Sequence, residues 1–435
     1  MDADVLVMGG GYAGLSVGAL LSARGLSVLL LEKSSQLGGR AGYTEKDGYL
    51  LEYGLHANRF ASQGAAAEVF RRLGRELVFL PVGEPELWWK GEFHPLPNAV
   101  PKILKTPFLS IPARAEAVVH LLKLVALPTG RLYAKSLQEV TGGCRREEVR
   151  TLLRVLSGIG IIAPELENAS AGEFAAFLKK ALRAREKVGY PRGGTRTIIQ
   201  GLQEELERNG EIRTGTAVTG MVARKGLVEA VEAGGGSFSA KAVVCAIPLR
   251  KVPDLLGERD LPVDLVRKAR VMEPTSGICL DLGLRDRISD KSGLLVTAEP
   301  LTMGQFTSNI DPSAAPAGKQ LLSWFYPLPF RVFSDREALK AEEVRLRATL
   351  REMFPGLWES VEWERCMRLE MVDGFLPNPR QSLPFRPGFT VSTLENFFLC
   401  GDATAAPGTG GDTAFNSALA VADLVVDYLR RNNTS

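Results

Sequence analysis

Histidine is scarce in this sequence, and the cysteines are too widely spaced to form a recognisable metal or redox motif. Three histidines occur among 435 residues, and no two cysteines have the two-residue spacing typical of metal sites and redox centres. The histidines are His56, His94 and His120, and the cysteines are Cys144, Cys245, Cys279, Cys366 and Cys400. We therefore expect no metal centre, and we expect reduced thiols in a cytoplasmic protein.

Long apolar runs and a strong net charge are also missing. No uninterrupted stretch of about 18 apolar residues occurs, so no membrane-spanning helix is expected. The acidic start MDADVLVMGG is not typical of a signal peptide. The net charge of +3 argues against nucleic acid as a partner. With 45% apolar and 24% charged residues, the composition is that of a globular protein with two or more domains.

A glycine-rich turn lies near the N-terminus, between an apolar run and a helix pattern. The run ADVLVMG is typical of a parallel strand buried on both faces, and Gly9, Gly11 and Gly14 follow as G-x-G-x-x-G. The first glycine allows a tight turn, the second lets the backbone approach a pyrophosphate, and the third lets helix and strand pack closely. A second apolar run, LSVLLLE, ends at Glu32, 21 residues after Gly11, where a carboxylate can bind ribose hydroxyls. This order of elements predicts a dinucleotide site.

NAD and FAD share this pattern, and the residues that follow Glu32 favour FAD. Gly38, Gly39 and Arg40 come within a few positions, where glycines permit close backbone approach and a guanidinium can pair with phosphate. A nicotinamide enzyme has no evident use for a second phosphate-contacting loop so near the first acid. At these residues the sequence resembles the flavoprotein superfamily of amine oxidases, protoporphyrinogen oxidases and carotenoid (phytoene) desaturases.

The C-terminal segment and the middle of the chain extend this resemblance over essentially the whole sequence. The stretch ENFFLCGDATAAPGTGGDTAFNSALAVADLVVDYL contains an apolar strand, Gly401 and Asp402, a Gly/Pro loop and a pattern of apolar residues at helical spacing. In the family, a Gly-Asp at this place binds the ribityl-phosphate part of the flavin, and the following helix directs its N-terminus at the flavin. The stretch YPRGGTRTIIQGLQEELERNG resembles the loop and helix that re-enter the flavin domain, and in relatives the backbone near Val218 contacts the adenine.

The resemblance implies an α/β fold with a Rossmann-like FAD-binding domain, in which a parallel sheet carries helices and a β-meander. A discontinuous α+β substrate domain with a mixed sheet completes the fold. The predicted FAD-binding domain comprises residues 1–75, 190–250 and 390–435, and the predicted substrate domain comprises residues 76–189 and 251–389. The predicted FAD-binding residues are Gly9, Gly11, Tyr12, Ala13, Gly14, Glu32, Lys33, Gly39, Arg40, Gly54, Val218, Gly401, Asp402 and Thr413.

The predicted substrate domain contains a basic and apolar segment, residues 98–135. It carries six lysines and arginines against one acid, and Val118, Leu121, Leu122 and Val125 are predicted to lie on one helical face. Two interpretations stay open: an amphipathic helix packed on its own domain, or a peripheral contact with an anionic membrane. In relatives that handle isoprenoids or porphyrinogens this region faces the membrane, which favours a lipophilic substrate.

Candidate catalytic groups are few. In YLLEYGLHANRF, the spacing of Glu52, Gly54 and His56 resembles a family segment that lines the pocket beside the isoalloxazine. His56 is therefore a candidate pocket residue, with a structural histidine as the alternative, and no catalytic acid or base is identified. The strand SGICLDLGL lacks the lysine usual in amine oxidases, and the stretch before the last helix lacks the aromatic residue of their amine cage.

Three functions are compatible with these features. The leading prediction is a phytoene desaturase-like, FAD-dependent oxidoreductase. It would desaturate, isomerise or saturate C–C bonds of an isoprenoid-like substrate by hydride transfer to or from flavin N5. The alternatives are an amine or protoporphyrinogen oxidase and a non-catalytic flavin-binding protein. The exact substrate, the reaction direction, the electron acceptor and the oligomeric state are left open. We expect a cytoplasmic protein, and association with a membrane is the open alternative.

Overall fold

The computed structural model describes residues 2–432. Its N-terminal strand is an internal strand of a six-stranded sheet. Its strands run parallel except for the antiparallel edge strand Thr390–Val391. Val5, Leu6, Val7 and Met8 are fully buried, because both faces of the sheet are covered. The strand order is Gly210–Arg213, Val28–Leu31, Ala3–Met8, Ala240–Cys245, Leu394–Leu399 and Thr390–Val391.

Helices cover one face of this sheet, and a small antiparallel sheet covers the other. The helices present apolar residues at helical spacing to strand residues such as Val5 and Val7. The strands Val218–Arg224, Leu227–Ala233 and Gly236–Phe238 form a β-meander on the opposite face. The predicted parallel sheet with helices and a meander is therefore confirmed. The helices on the first face are Tyr12–Ser22, Ala65–Arg72, Gly194–Leu206 and Gly411–Asn432, and Val252–Leu256 and Val263–Arg270 join the meander.

A second, seven-stranded sheet forms the other half of the molecule. Its strands Ser276–Leu284 and Gln320–Leu328 are buried along their whole length, since both faces of this sheet are also covered. Most pairs are antiparallel, but Gly293–Ala298 pairs in parallel with Gly83–Trp89, so the predicted mixed sheet is confirmed. The strand order is Val361–Leu369, Ser276–Leu284, Gln320–Leu328, Leu301–Phe306, Gly293–Ala298, Gly83–Trp89 and Glu92–Pro95.

Helices pack on both faces of the seven-stranded sheet. One face contacts the charged helix Arg336–Met353 through its apolar side. The opposite face contacts a group of five helices, which we call the helical layer. Among residues 2–432, no helix has the length and the apolar character needed to cross a bilayer. The helical layer comprises Val100–Lys105, Ile111–Ala126, Leu137–Val140, Glu147–Ile161 and Ala171–Arg183.

Short elements connect the two halves. The strands Asn58–Arg59, Val188–Pro191 and Phe79–Pro81 form a three-stranded sheet, and Tyr43–Lys46 pairs with Tyr49–Glu52. The two large sheets take their strands from alternating parts of the chain, as the predicted two-domain division requires. The boundaries of that division, at residues 75, 190, 250 and 390, stay a prediction. The remaining short helices are Thr307–Ile310, Phe330–Phe333 and Leu357–Ser360.

Candidate active site

The glycine-rich turn lies at the carboxyl end of the central strand Ala3–Met8. The helix Tyr12–Ser22 begins directly after it, so the free amides of its first turn face the end of the sheet. A Cβ atom on Gly14 would lie 1.9 Å from the carbonyl oxygen of Gly9, which explains why only glycine fits there. A Cβ atom on Gly11 would meet nothing closer than a carbonyl oxygen at 3.9 Å, so the turn is open above this residue. The turn is therefore a helix N-terminus with room for an anion.

Glu32 ends the neighbouring strand, as predicted, and its carboxylate is held by backbone amides. It accepts hydrogen bonds from the amide of Gly10 at 2.6 Å and from that of Ser34 at 2.8 Å. The carbonyl oxygen of Glu32 accepts the amide of Thr216 at 2.8 Å, which brings the segment before Val218 beside the same strand end. A carboxylate offers about four acceptor positions, so Glu32 retains capacity for ribose hydroxyls.

Arg40 and Asp402 form an ion pair at the opening of this turn. They are 362 residues apart in sequence, and their side-chain atoms lie 3.0 Å apart. The Arg40 side chain nevertheless keeps 39% of its surface accessible, so one side of the guanidinium stays available. Gly374 packs against the pair, because a Cβ atom there would lie 1.8 Å from an oxygen of Asp402. The two predicted cofactor motifs at the chain ends therefore meet in space.

The last helix, Gly411–Asn432, starts beside the first. The rings of Tyr12 and Phe415 lie 4.7 Å apart, so the two helix N-termini are adjacent. The buried hydroxyl of Thr413 has no hydrogen-bond partner within residues 2–432, although buried hydroxyls are normally paired. Two helix N-termini, an accessible guanidinium and an unpaired hydroxyl at one site suit a long dianionic cofactor with a polar chain. The residues therefore fit FAD.

The segment around Gly54 borders the same region from the side of the seven-stranded sheet. Gly54 has a φ of +117°, in the region that favours glycine. A Cβ atom on it would lie 3.6 Å from Nε2 of His56, 3.9 Å from Sγ of Cys279 and 4.0 Å from a methyl of Val372. His56 Nε2 lies 3.2 Å from the carbonyl oxygen of Tyr53. His56 thus lies where the sequence placed it, although its role as a pocket residue stays a prediction.

Three carboxylates lie around His56, and only Glu52 among them is part of a segment recognised in the sequence. Burial raises the pKa values of Glu52, Asp281 and Asp373, and His56 is among the groups that oppose each shift. Asp281 is paired with Arg365 at 2.7 Å. Asp281 and Asp373 are far from Glu52 and His56 in the sequence, so no local spacing indicates that the four residues converge.

An apolar wall continues from Gly54 towards the helical layer. Its side chains are half-buried and pack against the core of that layer. They come from the Gly54 segment, from the edge strand Val361–Leu369 and from the residues after it. Apolar side chains therefore lie next to the polar groups around His56, and Val372 is close to Gly54. The wall consists of Leu55, Met367, Leu369, Val372 and Leu376.

Comparison with known proteins identifies the family. The family model for flavin-containing amine oxidoreductases matches residues 12–426. The chain belongs to this family. The predicted superfamily and its flavin cofactor, FAD, are thereby confirmed, and the protein is an FAD-dependent oxidoreductase.

Members of this flavoenzyme family that resemble the chain include carotenoid enzymes. It is 23% identical to the zeta-carotene-forming phytoene desaturase of Myxococcus xanthus, over 99% of this chain and 95% of that protein. It is 24% identical to the lycopene-forming phytoene desaturase of Pantoea ananas, over 97% and 99% of the two chains. An oxidoreductase from Methanosarcina mazei has the same fold, with a TM-score of 0.80, 19% identity and coverage of 96% and 99%.

The remaining predicted flavin contacts differ in their packing and in their exposure to solvent. Gly39 lies against Gly11, because a Cβ atom on Gly39 would be 3.3 Å from the Gly11 Cα atom. Ala13 is buried in the first helix, and Lys33 is exposed after the second strand. The individual roles of all the predicted FAD-binding residues stay predictions.

One mixed cluster of side chains lies away from the flavin site. Glu116, His120 and Cys144 bring one possible ligand atom each within 4.8 Å of the others. Glu116 is already paired with Arg146, and burial raises the pKa of the Cys144 thiol to about 11. The number of histidines and the cysteine spacing, from which no metal centre was expected, do not reveal this grouping. The expectation that the protein has no metal centre stays a prediction.

Proposed function

We propose that this FAD-dependent oxidoreductase acts on C–C bonds of a lipophilic, isoprenoid-like substrate, which it desaturates, isomerises or saturates. The observation that carries the proposal is the apolar wall of Leu55, Met367, Leu369, Val372 and Leu376 beside the candidate flavin site. Hydrocarbon contacts of this kind bind an apolar chain by removing its surface from water. The two phytoene desaturases that resemble the whole chain support the same substrate class.

The roles of the flavin and of the protein side chains at the site follow from this arrangement. A bound flavin supplies two-electron redox chemistry, with hydride acceptance or donation at its N5 atom. The apolar wall orients the substrate chain and excludes water, so that one C–H or C=C unit is held at a fixed position. His56 and the partly buried carboxylate of Asp373, which adjoins Val372, are two polar groups beside the wall that can hold a proton.

An amine substrate is the second candidate, and one observation favours it. Asp373 and Asp281 are carboxylates near His56, and a carboxylate stabilises a nearby ammonium group. Against it, the strand Ser276–Leu284 contains no lysine, and no tyrosine or tryptophan lies between Asp402 and Phe415.

Anaerobic reduction of the flavin tests these candidates directly. The holoenzyme is mixed with a carotenoid polyene in detergent micelles or with a panel of polyamines, and the loss of oxidised-flavin absorbance is followed. We expect loss with a polyene that the enzyme desaturates, or recovery of absorbance when a polyene that it saturates is added to dithionite-reduced flavin, and neither with polyamines. Reduction by polyamines alone would overturn the proposal. A flavin that neither substrates nor dithionite can reduce would indicate a non-catalytic flavin protein.

A polar substitution in the apolar wall sharpens this test. We expect Val372→Asn to slow polyene turnover by about tenfold, which is about 1.4 kcal/mol of transition-state stabilisation. Val344→Asn, on the outer surface of helix Arg336–Met353, is the matched control and should leave the rate unchanged. Equal rates for all three proteins would show that the wall does not contact the substrate.

We further infer that residues 98–135 contact an anionic membrane. Ile111, Val119 and Leu122 are exposed on the outer face of helix Ile111–Ala126, an unusual place for large apolar residues. Several of the basic groups have partners inside the protein: Lys102 pairs with Glu84, Arg114 donates to backbone carbonyls and Lys123 donates to the carbonyl of Val140. The exposed residues Lys105, Arg131 and Lys135 would meet the lipid headgroups.

A further inference from the structure

The loop of residues 401–410 connects the two parts of the candidate flavin site at the C-terminal end of the chain. It begins with Asp402, which pairs with Arg40, and it ends at the N-terminus of the helix Gly411–Asn432. A loop of this kind has few regular backbone hydrogen bonds of its own, so its shape depends on what holds its carbonyl groups. Any group that fixes the loop therefore affects both contacts at once.

Arg386 holds this loop from inside the protein. Its side chain is fully buried, and Nη1 donates to the carbonyl oxygens of Ala406 at 3.0 Å and Thr404 at 3.4 Å. Nε donates to the carbonyl oxygen of Gln381 at 3.2 Å, and the guanidinium lies 4.1 Å from the ring centre of Phe375. The amide of Ala405 also donates to the neighbouring Pro387 at 2.8 Å. Three successive loop residues are thus held by Arg386 and the adjacent Pro387.

The charge of Arg386 is balanced by Glu173, which lies in the first turn of helix Ala171–Arg183 in the helical layer. The two side chains are 213 residues apart in sequence, form a hydrogen-bonded ion pair and are almost completely buried. Glu173 also accepts the backbone amide of Leu383 at 2.7 Å. Removing one partner of such a pair leaves an uncompensated buried charge, which is strongly destabilising.

A buried ion pair contributes little net stability compared with apolar side chains of similar volume, so stability alone gives no reason to use one here. The pair does what an apolar contact cannot do, because the guanidinium donates to loop carbonyls that would otherwise be buried without partners. Its location joins the helical layer to the flavin site, and neither side chain is part of any predicted cofactor motif.

We propose that Arg386 and Glu173 are positioning residues for the flavin: through the 401–410 loop they fix Asp402 and the start of the last helix in the arrangement that binds the cofactor. The proposal rests on the FAD cofactor of the family and not on the identity of the substrate. It therefore stands or falls independently of the proposed carotenoid-like activity.

Paired variants separate positioning from simple stabilisation. In Glu173→Gln, we expect a lower melting temperature and weaker FAD binding. In the double variant Glu173→Leu/Arg386→Met, we expect the melting temperature of the apoprotein to recover in part, because no charge is left unpaired although the loop carbonyls still lack a donor. We expect FAD to bind about tenfold more weakly than in the wild type even so, because the loop carbonyls have lost their donor. Dissociation constants come from titration of the apoprotein with FAD, followed by flavin fluorescence.

Recovery of FAD affinity together with the melting temperature would overturn the proposal, as would unchanged affinity in both variants. Arg347→Met/Glu364→Leu, which removes a partly exposed ion pair between helix Arg336–Met353 and the neighbouring strand, is the control and should leave FAD affinity unchanged. If the double variant does not fold, hydrogen exchange in apo Glu173→Gln decides. An acceleration of exchange, relative to the wild type, that is larger at residues 403–410 than in strand Ala3–Met8 supports the proposal, and equal acceleration in both contradicts it.

Discussion

At the scale of single residues, Gly14 gives the sharpest expectation. Alanine is a better helix former than glycine by about 1 kcal/mol, so helix propensity alone would favour Gly14→Ala. The added Cβ atom would lie 1.9 Å from the Gly9 oxygen, and this clash forces the turn and the helix apart. We expect Gly14→Ala to bind FAD at least about tenfold more weakly and to melt at a lower temperature. The measurements are FAD titration and thermal unfolding.

Gly130→Ala is the matched control for that variant. A Cβ atom on Gly130 would meet no atom within 4 Å, so the change should shift stability by no more than about 0.5 kcal/mol. If Gly14→Ala binds FAD as well as Gly130→Ala does, the close contact of helix and turn is not needed for the cofactor.

Asp412 allows a prediction about pH. Burial raises its pKa above the ordinary value of 3.8, against the opposing effect of Lys180 and Arg59. A carboxyl whose folded pKa is raised stabilises the fold at low pH, where it is protonated, and this contribution is lost as the pH rises through the folded pKa. We therefore expect the melting temperature of apo Asp412→Asn to rise relative to the wild type as the pH increases above about 4.

The measurement is a series of thermal unfolding curves for both apoproteins across that range. Asp290→Asn, which changes an exposed carboxyl, should follow the wild type at every pH. A melting temperature of Asp412→Asn that falls relative to that of the wild type as the pH rises would contradict the direction of the pKa shift.

Sequence reasoning worked at residues whose role is local, and it failed at residues whose role is not. Gly9, Gly11 and Gly14 are recognisable because their spacing is set by one turn. Arg386 and Glu173 carry no such signal, since each is an ordinary charged residue until the fold brings them together across 213 positions. Asp281 and Asp373 near His56 were missed for the same reason.

At the scale of elements, helix Ile111–Ala126 shows why amphipathic patterns mislead. The sequence placed Val118, Leu121, Leu122 and Val125 on one apolar face. In the structure, the buried residues are Ala113, Ala117, His120 and Leu124, while Leu122 is exposed. The helix is apolar on both sides, so its hydrophobic periodicity could not indicate which side faces the core. The buried strands were easier to predict from the sequence, because short apolar runs that end at glycine or proline are typical of strands.

The exposed face of that helix leads to a prediction about membranes. We expect Val119→Glu/Leu122→Glu to lower binding to vesicles that contain phosphatidylserine by about tenfold, because both charges would have to enter the apolar part of the interface. Vesicle flotation measures the bound fraction. Val344→Glu is the matched control, since Val344 and Val119 are both 62% exposed and lie on surface helices.

Equal binding by all three proteins would remove the membrane proposal and leave helix packing as the role of residues 98–135. Replacing lysines alone would be a weaker test, because Lys102 and Lys123 already have partners inside the protein. The apolar substitutions change exposed atoms only and leave those contacts intact.

At the scale of the whole molecule, the class of each sheet could be predicted, but the strand order of the second sheet could not. The parallel sheet follows from two buried runs joined by a helix, which is a short-range signal. In the seven-stranded sheet, Val361–Leu369 pairs with Ser276–Leu284, and Gly293–Ala298 pairs with Gly83–Trp89, over separations of many tens of residues. Such pairings depend on the packed helical layer and leave no periodicity in the sequence.

The convergence of the two chain ends gives the last prediction. The candidate flavin site combines the first turn, Arg40 and Asp402, and the ion pair of the last two joins the chain ends. We therefore expect FAD to bind only when both ends are folded together. A ligand of this kind stabilises the folded state by about 2.7 kcal/mol at a free concentration of 100 times its dissociation constant. We expect the melting temperature of the apoprotein to rise continuously with FAD concentration.

In Arg40→Gln the rise should begin at an FAD concentration at least about tenfold higher, because one guanidinium contact with the pyrophosphate is lost. Arg24→Gln, which removes an exposed ion pair with Asp423 elsewhere on the surface, should show the wild-type dependence. A melting temperature that is independent of FAD, or equal curves for all three proteins, would mean that the Arg40–Asp402 junction is not where the cofactor joins the two ends of the chain.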